Sequence, residues 1–215
     1  MVRLTRAADP GVLHAWGRGW AVSRATPPPV AVPGGFRIDV GLPGHVARYL
    51  LPTVDVDTLL PLIAAITEPG TWLKVCAPEP VVRPLLPAGW TVHAPEYLMT
   101  ATLRSPAVSA PDGYTLATTV TGGAIDVVVR DPAGVLAASG RAGCDGPTAV
   151  IDQVETAPEH RRRGLGRVVM AALADQAARI GAVDGVLVAT SDGHALYEAL
   201  GWSTRSHVTP AVLST

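Results

Sequence analysis

Arg161, Arg162 and Arg163 stand in a row and lead straight into Gly164-Leu165-Gly166-Arg167. Backbone N–H groups at the start of a helix have no intrahelical partner and lie at the positive end of the helix dipole, so they attract negative charge. Gly164 and Gly166 remove side chains where a phosphate must approach the backbone, and the arginines add charge-assisted hydrogen bonds. The expected ligand is therefore a phosphate-bearing molecule. A Walker loop is excluded because no Gly-Lys-Ser/Thr follows, and the dinucleotide fingerprint is excluded because it needs GxGxxG after a first strand.

For this chemistry the arginines must sit between a strand and a helix. The pattern supplies both: a strand over 148–156, a turn at Pro158, and a helix over 164–180 with Val168, Val169, Ala171, Leu173 and Ala177 on its apolar face and Gly181 after its end. Strands are expected before it at 114–120, 124–130 and 134–140, the last two joined by the turn Asp131-Pro132-Ala133-Gly134. A strand at 186–190, a helix at 194–200 and a strand at 208–213 follow it. Four strands, then helix, strand, helix and strand, argue for an α+β sheet that turns parallel around the long helix.

The first hundred residues read as mixed α/β. A helix over 9–24 carries Val12, Leu13, Trp16, Trp20 and Val22, strands follow at 35–40 and 45–51, and a helix spans 55–67. Asp57 is favoured over Asp55 as its cap, so that Pro61 falls in the first turn. A strand at 71–76 and a short helix at 81–86 complete this half. Residues 105–113, SPAVSAPDG, read as an exposed connection, which divides the chain into an N-terminal α/β domain, 1–108, and a second domain, 109–215. Residues 72–90 can be laid without gaps on 184–202, and both end in Gly-Trp. The echo is as well explained by a common strand-turn-helix unit as by a decayed duplication.

At residues 161–167 the sequence resembles the GNAT N-acetyltransferase superfamily, whose pyrophosphate motif (Q/R)xxGx(G/A) is matched by Arg161, Gly164 and Gly166. The resemblance continues through Gly185-Val-Leu-Val-Ala-Thr-Ser to Ala195-Leu-Tyr197-Glu-Ala-Leu-Gly-Trp202 and covers about residues 113–215. It implies a GNAT fold, and transfer of an acetyl or short acyl group from acetyl-CoA or another acyl-CoA to an amine, on a small molecule or peptide, by direct attack in a ternary complex; the N-terminal half is a degenerate GNAT-like copy if the echo is a duplication. The backbone of Val154 and Thr156 would bind the pantetheine arm. Arg161, Arg162, Arg163, Gly164, Leu165, Gly166 and Arg167 would hold the pyrophosphate. Tyr197 matches the tyrosine that protonates the departing thiolate, although it reads also as a core aromatic beside Leu196 and Leu200. A base for the ammonium is required, and Asp152 and Glu155 are the candidates. Side chains alternate along a strand, so Asp152 should share a face with Val154 and Thr156, and Glu155 the other with Gln153. The choice leans to Asp152, with Glu155 retained. The two helices that usually follow the family's first strand have no counterpart between Tyr114 and Ala149. A shared sheet between C-terminal strands is common in the family, which implies a homodimer.

Composition narrows the remaining classes. At 215 residues with 48% apolar side chains the chain can bury a sizeable core. A formal net charge of -1 lacks the basic excess of a nucleic-acid binder, and the triple arginine has no interleaved aromatics. Lys74 is the only lysine and asparagine is absent, a skew that fits a GC-rich genome, so the arginine share alone argues nothing. Cys76 and Cys144 lie too far apart for a CxxC site, no histidine spacing supports a metal, and an acyl-cysteine route through Cys144 is secondary. His14, His160 and His194 read as surface or capping residues. No apolar run reaches the roughly 18 residues of a membrane span, and residues 1–10 hold no signal-peptide core, so the cytoplasm is the expected address. The alternative to an enzyme is a non-catalytic acyl-CoA-binding or regulatory module.

Overall fold

Asp9 opens the first helix by accepting from the N–H groups of Gly11 at 2.8 Å and Val12 at 3.4 Å through Oδ1, which meets two of the donors a helix start leaves unpaired. The computed structural model describes residues 8–105 and 108–214; residues 1–7, on which the signal-peptide expectation largely rests, and residues 106–107 of the expected connection lie outside the described residues. The elements in chain order are α1 Pro10–Arg24, β1 Val30–Val32, β2 Gly35–Leu42, β3 His45–Leu51, α2 Val56–Ala65, β4 Thr71–Val75, α3 Glu79–Val82, β5 Trp90–Val92 and β6 Glu96–Thr102. They continue with β7 Thr115–Thr121, β8 Ala124–Arg130, β9 Leu136–Asp145, β10 Thr148–Thr156, α4 Leu165–Arg179, β11 Asp184–Thr190, α5 Ser191–Ala199 and β12 Ser203–Leu213. No helix among the described residues is long and apolar enough to cross a membrane.

These elements form two compact units that interleave along the chain: residues 8–17, 26–99 and 188–214, and residues 18–25, 100–105 and 108–187. The chain thus passes between units inside α1, β6 and β11, whereas the division expected from sequence was a single cut after residue 108. The echoing segments 72–90 and 184–202 do share a strand followed by a helix, β4 with α3 and β11 with α5.

In the first unit the strand order is β1-β2-β3-β4-β12-β6, with β5 also on β12. β3 and β4 run parallel, linked by α2, whose Leu59 and Ile63 pack with Leu51, Leu73, Val75 and Val82. Asp55, not Asp57, precedes α2, and Pro61 lies inside the helix. The Asp55 carboxylate binds the Thr58 hydroxyl at 2.5 Å and makes no side-chain bond to a backbone N–H. Lys74 is buried and reaches Glu96 at 2.6 Å, so both charges leave water only as a pair. β1, β5 and β6 went unread in the sequence.

The second unit is a β7-β8-β9-β10 antiparallel meander with β11 parallel beside β10. No helix interrupts it between Tyr114 and Ala149, as expected. On one face α4 packs through Leu165, Val169, Leu173 and Ala177, all 0–1% exposed, over Ile125, Val127 and Val129 of β8. Gly140 makes this approach close: a Cβ there would stand 2.5 Å from Val169 Cγ1. Residues 18–24 of α1 lie on the opposite face. There a Cβ on Gly143 would meet the Gly19 carbonyl at 2.0 Å, so glycine is required for the helix to rest on the strand.

Candidate active site

The second unit builds its site from one strand irregularity and one turn. Along β10 the register with β9 runs Asp152↔Arg141 and resumes at Glu155↔Ser139. Three steps on β10 against two on β9 define a bulge, and Gln153 adopts φ 51° to make it. Two consequences follow. Val154 has no cross-strand partner on β9, and its side chain turns toward Gly140 on the α4 face. Asp152 and Glu155 pair with residues two apart on β9 and so share one face, which corrects the alternation expected from sequence. The β10–β11 register extends from Thr148↔Asp184 to Val150↔Val186 and no further among the described residues, so the backbone of Val154 and Thr156 lies beyond that pairing.

The two carboxylates have different surroundings. Asp152 is held by Arg24, whose Nε donates to Oδ2 at 2.5 Å, with the Ser23 hydroxyl at 3.5 Å from the same oxygen. Glu155 is exposed and lines a cleft of about 290 Å³ with Asp126, Val128, Ser139, Arg141 and Gln153. Arg141 is neutralised there by Asp126, Nε to Oδ1 at 2.6 Å.

Beyond β10 the chain makes a single turn of 3-10 helix at Pro158–His160 and enters the arginine segment. Arg162 has φ 63° and Gly164 has φ 79°, so the backbone passes twice through the left-handed region within three residues. For an arginine that conformation costs about 1–3 kcal/mol, and such strain gathers at ligand clamps. The turn is braced from below. Arg163 Nη1 donates to Tyr114 Oη at 3.0 Å, Tyr114 Oη lies 3.1 Å from His160 Nδ1, and His160 Nε2 lies 3.6 Å from Asp131. His160 is therefore buried, contrary to its expected surface or capping position. Arg161 Nε donates to the Thr156 carbonyl at 3.3 Å.

Gly164 caps α4 and offers no side-chain acceptor, so no side chain at the cap satisfies the first-turn N–H groups. A Cβ on Gly164 would meet nothing within 4 Å, which means that its backbone angle, not protein packing, demands glycine. Arg161, Arg162, Arg163 and Arg167 are exposed, whereas Leu165 buries its side chain and anchors the helix start. Tyr197 belongs to the first unit, on α5, 6.4 Å between ring centroids from Trp202. Burial pushes the Cys144 thiol up to about 11 and the Cys76 thiol to about 12, which keeps both protonated at neutral pH. Sequence reasoning missed Arg24, Ser23, Asp126, Arg141 and Tyr114, all of which reach the site only through cross-strand or helix-on-sheet contacts.

The model of the acetyltransferase (GNAT) family matches residues 84–202. The chain belongs to this family. A GCN5-related N-acetyltransferase from Kribbella flavida superposes with TM-score 0.65 at 17% identity, covering 95% of each chain. A GCN5-related N-acetyltransferase-like protein from Streptococcus suis gives TM-score 0.51 at 12% identity over 77% of this chain and 79% of its own. A tandem GNAT protein from the clavulanic acid biosynthesis pathway gives 0.53 at 15%, over 79% and 75%. At these identities the likeness establishes the GNAT fold. Among the curated proteins compared, none matches the sequence. The GNAT match begins at residue 84, well before the expected boundary, and takes in β5 and β6.

Proposed function

We propose that this GNAT protein transfers an acetyl or short acyl group from acyl-CoA directly to an amine on a small molecule or peptide. The observation that carries the proposal is the uncapped start of α4 behind a doubly left-handed turn, with four exposed arginines around it. Those residues fit a pyrophosphate: donors are plentiful, negative side chains are absent from residues 160–167, and the space over Gly164 is open. Arg161, Arg162, Arg163 and Arg167 with the backbone of residues 164–166 hold it, and the backbone of Val154 and Thr156 carries the pantetheine arm.

Bound acyl-CoA supplies the activated thioester. Glu155 serves as the base, because it faces the cleft with no cationic side chain paired to it among the described residues, whereas Asp152 is occupied by Arg24. The Glu155 carboxylate takes a proton from the acceptor's ammonium, and the family's tyrosine motif assigns Tyr197 the proton for the leaving sulfur. Ser139 and Gln153 line the same cleft and orient the acceptor. A direct route is favoured over an acyl-cysteine, since a thiol near 11 leaves roughly one part in ten thousand as thiolate at neutral pH.

Thermal denaturation with and without acetyl-CoA tests the proposal, in parallel with Gly164→Glu. At about 100 times the dissociation constant, linkage stabilises the native protein by about 2.7 kcal/mol. The shift should vanish in the variant, where a carboxylate enters the phosphate space. No shift of the native protein with any acyl-CoA would refute the assignment.

A further inference from the structure

β7 ends the strand order of its unit, and among the described residues it pairs only with β8. Its seven residues, Thr115-Leu116-Ala117-Thr118-Thr119-Val120-Thr121, contain no charge and no proline. Protein edges are ordinarily blunted by lysine, proline, a bulge or shortness. None of these is present here, and the register with β8 is unbroken from Thr115↔Arg130 to Thr121↔Ala124.

We propose that β7 pairs antiparallel with β7 of a second copy about a twofold axis through Thr118. The strand is nearly its own complement in that register. Thr115 meets Thr121, Leu116 meets Val120, Ala117 meets Thr119, and Thr118 meets itself. Keeping α4 on the same face of both copies requires a register centred on a residue, and centring on Thr118 uses the whole strand.

The face chemistry agrees. Leu116, Thr118 and Val120 oppose Val129, Val127 and Ile125 of β8, which α4 buries to 0–1% exposure. The apolar layer thus runs outward under β7 and stops at Val120, which is 41% exposed. A second copy continues that layer with two Leu116–Val120 pairs flanking a Thr118–Thr118 pair, and cross-strand pairs of these types stabilise sheets. The other face, Thr115, Ala117, Thr119 and Thr121, is exposed and small or polar, as a solvated face should be.

The C-terminal strand offers no such edge. β12 is flanked by β4 on one side and by β5 and β6 on the other, so the shared C-terminal sheet that the family resemblance implied is closed to a partner here.

Sedimentation of the full chain across micromolar concentrations should give a dimer. Thr118→Lys sets two ammonium groups directly opposite and should weaken the dimer by about tenfold or more while circular dichroism and Tm stay native. Thr118→Cys in a Cys144→Ser background should oxidise to a covalent dimer, and Ala117→Cys, which meets Thr119, should not. A native monomer at every concentration, or a dimer that Thr118→Lys leaves intact, overturns the proposal. Should Thr118→Lys fail to fold, the Thr118→Cys oxidation decides alone, and no covalent dimer overturns it.

Discussion

Replacing Glu155 and Asp152 separately by their amides should divide catalysis from stability between two carboxylates on the same face of β10. Glu155→Gln removes a proton acceptor from the cleft without touching a salt bridge, so kcat should fall by about 10²- to 10⁴-fold, with Tm unchanged. Asp152→Asn strands Arg24. The pair keeps 19% and 32% side-chain exposure, between an exposed pair and a buried one. Exposed pairs are worth about 0.2–1 kcal/mol and breaking a buried pair costs about 3–5, so an intermediate loss of roughly 1–2 kcal/mol is expected. For a chain of this length that lowers Tm by about 2–8 °C. Turnover of the folded Asp152→Asn protein should remain near native. The assay is thiol release from acetyl-CoA with an accepted amine, alongside calorimetry. A collapse of kcat in Asp152→Asn with normal Tm, and an active Glu155→Gln, would refute the reasoning and return the base to Asp152.

Tyr197→Phe should keep its packing beside Trp202 and lower kcat by about 10²-fold while the acetyl-CoA thermal shift persists; unchanged turnover would remove Tyr197 from the chemistry. Gly143→Ala drives a Cβ into the Gly19 carbonyl and the Ser23 N–H, both backbone, and should cost about 3 kcal/mol in denaturant titration. By contrast Gly164→Ala meets open space, and should cost only about 1 kcal/mol for its positive φ. Hydrogen bonds from Arg179 and Ser105 hold the Asp175 carboxyl below its usual value of 3.8. A lowered folded pKa contributes stability above the unfolded value that is lost as pH falls through the folded one. Asp175→Asn should therefore lower Tm at neutral pH, and the gap should close in acid below about pH 4; a gap independent of pH would refute the linkage.

Local chemistry that needs only neighbours in the chain was legible in the sequence. The strand-turn-helix that carries RxxGxG could be read because residue type, spacing and a following apolar periodicity all lie within one short segment. α1, α4 and the four meander strands were legible for the same reason, to within a few residues at their ends except that β9 runs five residues further. The bulge was not, because glutamine carries no preference for positive φ, and only the pairing of β10 with β9 forces Gln153 there. That one backbone event placed Asp152 and Glu155 on the same face, and only the packing of α1 through Gly19 and Gly143 set Arg24 against Asp152. The interleaving of the two units was likewise invisible, since it depends on β12 closing between β4 and β6 some 100 residues away. Sequence therefore showed where an anion-binding turn could form; tertiary structure set Arg24 against Asp152 and left Glu155 lining the cleft, because that salt bridge joins residues 128 positions apart.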